Sequence, residues 1–194
     1  MNNGAMTKPD EFIRTAEEAG HSVRFLRFAR DRYSVRSFSG EAVEQYKIDS
    51  ILTAAQLAPT AVNFQPQKIY VLRSDEALLK INRLCRCIYG APLVFLICSD
   101  ESRTWKSSTE PGYSSGEMDC SIVCTHMMQE AWEQGLGSVW VRLFDVNAVA
   151  KAFDLPRGIK PICLLPVGYA SEDCVPYAPW HDVFRDIRDF TVEL

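Results

Sequence analysis

Two short stretches of the chain hold residue types that bind anions and flat polar rings. In Arg32-Tyr33-Ser34-Val35-Arg36, two arginines and a serine alternate. In an extended segment, alternate residues point to one side, so Arg32, Ser34 and Arg36 can face one ligand together. Guanidinium groups offer forked donors with permanent charge, the chemistry of phosphate binding, and a serine hydroxyl adds a short donor. The same residues also fit a solvated basic edge with Tyr33 and Phe38 in the core, and spacing alone favours that reading. The second stretch, Ala58 to Pro66, reads Ala-Pro-Thr-Ala-Val-Asn-Phe-Gln-Pro. Its prolines stiffen a turn, and Asn63 and Gln65 present amides that both donate and accept. Such amides match a heteroaromatic ring edged by alternating C=O and N–H groups. Taken alone, the segment fits better a turn in which Asn63 bonds its own backbone.

Two further blocks are structural on their own terms. Gly135 to Asp145 reads as a helix stop, a strand and a helix start, without the full Gly-x-Gly-x-x-Gly dinucleotide pattern. Leu164 to Tyr169 is a core strand ending at Gly168.

The elements that must position these blocks follow from periodicity. His21 to Arg30 reads as a short helix, with Val23, Leu26 and Phe28 apolar and Arg24, Arg27 and Arg30 on another face. Ser39 can cap a second helix, with Glu41 in its first turn and Pro59 stopping it. Lys68 to Leu72 and the continuous apolar runs Pro92 to Cys98 and Pro161 to Val167 read as strands, the last two buried on both faces. Ser138 to Val141 reads as a short strand. Ser74 and Asp145 begin helices, and Glu117 to Gln134 is the longest helix, with Gly135 placed as its left-handed cap. Ser99 to Gly116 is a polar loop long enough to act as a binding lid, or to be anchored by its own Trp105 and Tyr113. The tail from Asp173 to Leu194 carries Tyr177, Trp180, Val183, Phe184, Ile187 and Phe190, and must pack on its own body or on another subunit. The order is that of an α/β or α+β layer protein, with strand directions left open.

Bulk properties narrow the function. Of 194 residues, 47% are hydrophobic and 24% charged, enough for a real core. The net charge of −4 argues against general nucleic-acid binding, although Arg24, Arg27, Arg30, Arg32 and Arg36 form a basic run. No apolar run reaches the roughly 20 residues of a membrane span. Residues 1–20 lack a hydrophobic signal core and read as a loose N-terminal extension, leaving one domain over 21–194. The seven cysteines are irregularly spaced, several inside apolar runs, which predicts reduced thiols and a cytoplasmic location. Cys120, Cys124 and His126 lack the second pair a zinc site wants, so no metal is expected. No Ser-His-Asp constellation is evident.

Taken together and in this order, the four blocks resemble the FMN-dependent nitroreductase family. The matching elements are Arg-x-Ser-x-Arg at Arg32 to Arg36, Ala-Pro-Thr-x-x-Asn-x-Gln-Pro at Ala58 to Pro66, Gly-Leu-Gly-Ser-x-Trp at Gly135 to Trp140, and Leu-Pro-Val-Gly-Tyr at Leu165 to Tyr169. Asp119 falls where such proteins carry an aspartate near the start of the long central helix. The resemblance spans about Phe25 to Tyr169.

It implies an α+β fold whose central mixed or antiparallel sheet is wrapped by helices, in an intertwined homodimer with flavin sites at the interface and the tail on the partner. Arg32 and Ser34, with Tyr33 between them, would hold the FMN phosphate, and Arg36 would lie near the pyrimidine. Pro59, Thr60, Asn63 and Gln65 would contact flavin from the partner chain. The backbone of Arg142 and Leu143 would approach the reactive nitrogen, and Gly168 the phosphate end. The implied activity is electron transfer from NADH or NADPH to a nitroaromatic, a quinone or a related small electrophile in two half-reactions. Alternatives on the same fold are reductive dehalogenation, flavin fragmentation, and flavin sequestration with little turnover.

The chain departs from the family pattern in three places. Relatives often carry basic residues where this tail reads Tyr177-Ala178-Pro179-Trp180, so that His181 and Arg185 are the nearest substitutes. Many have tryptophan at Gln67, and a small or acidic residue at Arg142. The Arg142 side chain could select an acidic substrate or lie at the surface with only its backbone in use.

Overall fold

The computed structural model describes residues 8–194. They divide into two compact units, 34–174 and a smaller one joining 8–33 to 175–194.

The larger unit is built on a four-stranded antiparallel sheet. After helix α3 (Gln45–Leu57) come strand β1 (Gln67–Leu72), helix α4 (Asp75–Leu84), strand β2 (Leu93–Asp100), helix α5 (Gly116–Glu133), strand β3 (Gly137–Ser138), helix α6 (Val146–Ala152) and strand β4 (Ile159–Gly168). The strand order is β1-β2-β4-β3. The apolar runs in β2 and β4 are buried on both sides, because helices cover both faces of the sheet. Leu93, Phe95, Ile97, Cys163, Leu165 and Val167 pack with α3 and α5, burying Ile51, Val123, Cys124 and Met127. On the other face Val94, Leu96, Cys98 and Leu164 pack with Ile81 of α4 and Val149 of α6.

Several boundaries follow from end chemistry. Ser74 accepts Ala77 N–H at 3.3 Å, and Asp145 accepts from both Asn147 and Ala148, so each caps its helix as expected. Gly135, at φ +74°, ends α5, and Leu136 N–H reaches back to Ala131 O at 2.8 Å.

Other expectations are corrected. Ser39 does not cap a helix: its hydroxyl accepts Glu41 N–H in a local turn, and α3 starts only at Gln45. The strand expected over Ser138 to Val141 ladders only at Gly137–Ser138, with a single bridge from Val141 to Leu164. Of the two forms expected for the polar loop after β2, the structure has the one anchored on itself, with Lys106 bridged to Ser114 and the Trp105 ring edge-on to Tyr113 at 6.1 Å.

The smaller unit holds helices α1 (Pro9–Glu18) and α2 (Arg24–Asp31) with the tail, which forms helix α7 (Ala178–His181). Where a loose extension was expected, α1 has a proline in its first turn, Asp10 and Glu11 beside the positive end of its dipole, and Ile13 buried. Arg30 ties this unit together. It donates to Asp10 at 2.7 Å and to Asp182 at 2.9 Å, lies 2.7 Å from His181 Nε2, and stacks over Phe184. The tail thus contacts helices of its own chain, while Val175, Trp180, Val183 and Phe190 remain largely exposed.

Candidate functional site

Ser34, Arg36 and Gly168 gather at one end of the sheet. Ser34 forms a bridge with Ser138, and Val35 N–H donates to Ser138 O at 3.0 Å. The segment then follows the end of β4, with Ser39 N–H on Tyr169 O and Ser171 N–H on Ser37 O. Arg36 turns back so that Nη1 donates to Ser34 O at 3.1 Å. Val35 is fully buried against Gly137, where a Cβ would lie 2.4 Å from Val35 Cγ2. Gly137 is therefore a glycine because the Ser34 segment crosses it in contact. Gly168 pairs with Gly137, and a Cβ there would lie 2.7 Å from Pro92 Cδ.

Arg142 and Leu143 follow the Val141 bridge. Leu143 is 78% exposed, and its carbonyl accepts the Cys85 thiol at 3.5 Å. The Arg142 guanidinium lies 5.3 Å from the centre of the Phe144 ring. Its charge also helps lower the pKa of Glu117, a shift caused chiefly by the Lys160 ammonium 2.6 Å away.

The amide-bearing turn is a separate construction. Asn63 N–H donates to Thr60 O, and Gln65 N–H to Thr60 Oγ1. Gln65 Nε2 donates to Asn63 Oδ1 at 3.0 Å, so the two amides are held together. The Asn63 side chain thus bonds the Gln65 side chain, where bonding to its own backbone was expected. Val62, Asn63 and Gln65 all have positive φ, at 46°, 58° and 49°. For a β-branched valine this conformation is strained. The turn is held from outside: Ala61 N–H donates at 2.9 Å to the buried carboxylate of Asp119, which also accepts the Ser115 hydroxyl at 2.6 Å. The sequence marks Asp119 by position only; its anchoring role depends on a contact 58 residues away along the chain.

Strand register separates these groups. Pro66 O, just after the turn, accepts Asp100 N–H at the end of β2, whereas Val167, beside Gly168, pairs with Leu93 at its start. Seven steps of about 3.3 Å put the two ends roughly 20 Å apart. Within one chain the Ser34–Gly168 end and the Asn63–Gln65 turn do not meet. A cavity of about 750 Å³ lined by Val43, Leu78, Ile88 and Pro92 includes none of the expected site residues.

Arg32 and Tyr33 belong to the smaller unit. Arg32 ends α2 in an extended conformation. Its Nη1 is sheltered from solvent and has no hydrogen-bond partner, and burial lowers its pKa. The Tyr33 ring meets His181 edge-on at 6.3 Å. No cluster of three or more metal-ligating side chains occurs among the described residues, and no helix there is long and apolar enough to cross a membrane.

Comparisons with known proteins point to one family. The model of the nitroreductase family matches residues 29–89 and 82–169. The chain is 30% identical over 155 residues to a Methanothermobacter thermautotrophicus protein named as a candidate NADH dehydrogenase or NAD(P)H nitroreductase, covering 76% of this chain and 78% of that one. It is 27% identical over 159 residues to the FMN reductase [NAD(P)H] of Bacillus subtilis, covering 73% and 64% respectively. A crystal structure of a nitroreductase family protein from Clostridium difficile superposes with a TM-score of 0.79 at 34% identity, over 86% of this chain and 96% of the other.

Proposed function

Since this chain belongs to the nitroreductase family, we propose that it is an FMN-dependent oxidoreductase that draws electrons from NADH or NADPH and passes them to a nitroaromatic, a quinone or a related small electrophile. FMN, when bound, supplies the two-electron chemistry; the chain binds and orients it. Ser34 binds the phosphate with Gly168 at the same end of the sheet, and Arg32 and Tyr33, which precede Ser34 in the chain, are assigned to the same phosphate by the family pattern. The unpartnered, sheltered Arg32 nitrogen suits such an anion. Arg36 supplies fixed positive charge near the pyrimidine side, where reduction accumulates negative charge. Arg142 and Leu143 are exposed residues, which leaves room for a planar ring to approach.

The observation that carries this reading is the strained, Asp119-anchored turn that fixes the Asn63 and Gln65 amides beside each other. Amides held in this way suit a flat ring with alternating donors and acceptors. Pro59 and Thr60 belong to the same turn. Because the turn lies roughly 20 Å from the Ser34 end, as strand spacing gives, a complete site draws one part from each of two chains, and the working form is a homodimer.

A second reading, flavin retention with little turnover, is favoured by the tail. Its Arg185 is engaged with Asp189 O and the Phe190 ring, and His181 with Arg30. Visible spectroscopy separates the two. Added FMN should bind and then bleach without oxygen on addition of NADH or NADPH. Bound flavin that stays oxidised supports retention, and failure to bind excess FMN overturns both.

A further inference from the structure

We propose that Cys85 and Cys87 form a redox-active dithiol that closes to an intramolecular disulfide by exchange with a small-molecule disulfide. The pair sits where α4 ends and the chain turns into β2. Cys85 is extended, Arg86–Ile88 forms one tight turn, and Tyr89 takes a left-handed conformation at φ 52°. Residues two apart cannot separate their Cα atoms by more than about 7 Å, and the tight turn brings them closer, into the range of roughly 4.4–6.8 Å that a disulfide requires. Burial chiefly raises the pKa of the Cys85 thiol, and the neighbouring Cys87 thiol adds to the shift. Cys87 also meets the Tyr89 hydroxyl, which in turn meets Arg36.

Access distinguishes this pair from the four core thiols, and pairing distinguishes it from Cys174, which is also half-buried but has no second cysteine within ten residues of sequence. Cys98, Cys120, Cys124 and Cys163 are fully buried in the core, and burial pushes Cys98 up to about 12, which leaves it unreactive. Cys85 is 3% exposed and Cys87 is half-buried, so Cys87 is the sulfur of this pair that a reagent reaches.

The chemistry is ordinary thiol–disulfide exchange. The Cys87 thiolate attacks one sulfur of the external disulfide, forms a mixed disulfide and expels one thiolate. Cys85 then attacks the Cys87 sulfur and expels the second. The pair loses two electrons and two protons, and the external disulfide becomes two thiols. Burial raises the pKa of Cys85, so closure of the ring accelerates as pH rises.

Closure also takes the Cys85 S–H away from Leu143 O, its acceptor in the reduced chain. Leu143 lies in the stretch that the proposed function sets beside the flavin, so the redox state of the pair reaches that site. This consequence rests on that reading.

The test treats the full chain with oxidised glutathione in the absence of oxygen, then denatures and alkylates it. In the peptide that spans both residues, the expected product lacks the mass of two hydrogen atoms, and Cys85 and Cys87 escape labelling together, while the four core thiols are labelled, whatever the state of the half-buried Cys174. Cys87→Ser should abolish the change, and Cys85→Ser should trap glutathione on Cys87. Labelling of both cysteines after treatment overturns the proposal, as does oxidation confined to other cysteines. FMN affinity is then measured in both states. One lost hydrogen bond predicts binding weaker by about threefold in the oxidised chain. Equal affinities overturn the link to Leu143. Absence of FMN binding in either state overturns the flavin assignment, and the alkylation result still decides the dithiol.

Discussion

The carboxylate of Asp119 accepts the Ala61 N–H at 2.9 Å, across 58 residues of sequence, and so fixes a turn that would otherwise spring out of its left-handed conformations. The aspartate is itself buried and shared with the Ser115 hydroxyl. Asp119→Ala removes both hydrogen bonds and leaves buried donors unpaired. It should cost about 2–4 kcal/mol in urea unfolding and weaken FMN retention. Wild-type stability in this variant would remove Asp119 from its anchoring role.

Arg32→Ala should weaken FMN binding by at least about 1 kcal/mol, the worth of a charged hydrogen bond. Fluorescence titration measures it directly. Because Arg32 Nη1 has no protein partner to lose, the unfolding midpoint of the FMN-free chain should change far less than the affinity.

Gly137 and Val35 should behave as a coupled pair. Gly137→Ala drives a methyl into a fully buried valine and should destabilise by about 2 kcal/mol. Val35→Ala opens the space that methyl needs. The double variant should therefore be more stable than the sum of the two losses by about 1 kcal/mol. Additive losses would mean that the Ser34 segment does not press on Gly137.

Glu117 gives a pH signature. Lys160 holds its carboxyl below the usual glutamate range, so the stability from this pair is fully present above the unfolded value of about 4.3. It is lost as pH falls from there through the lowered folded value. The pair is largely exposed, so the effect should stay under about 1 kcal/mol. Lys160→Ala should remove that part of the acid dependence in unfolding curves at pH 3 to 6, about the window in which glutamate titrates.

Deleting Asp173 to Leu194 should break the proposed dimer or precipitate the protein, since it removes both the exposed apolar tail and the Asp182 partner of Arg30. Light scattering after size exclusion reads the outcome. A stable, flavin-loaded truncated dimer would contradict this role for the tail.

Much of the fold was legible because its signals are local. The unbroken apolar runs of β2 and β4 mark strands covered on both faces, and Ser74, Asp145 and Gly135 mark helix ends. The failures are equally local in origin. Ser39 has the right chemistry for a cap, but its hydroxyl closes a turn on Glu41 and no helix follows for five residues. Helix α1 has only one buried side chain, Ile13, and its Asp10 is tied to Arg30, twenty residues on. Candidate ring-binding and phosphate-binding residues could be named from their types and the family pattern. Asp119 under Ala61, and Cys85 under Leu143, are joined only by the packing of distant segments, and no spacing rule reaches them.

The distance between the two ends of β2 has a genetic consequence. If each site takes its phosphate end from one chain and its amide turn from the other, the two kinds of damage sort independently between subunits. A chain crippled at Ser34 and a chain crippled at Asn63 are each inactive with themselves. Paired, they make one site that carries both lesions and one that carries neither. Co-expression of two dead alleles should therefore restore up to half of the normal activity per mixed dimer, and that complementation would be absent if both parts of the site came from the same chain.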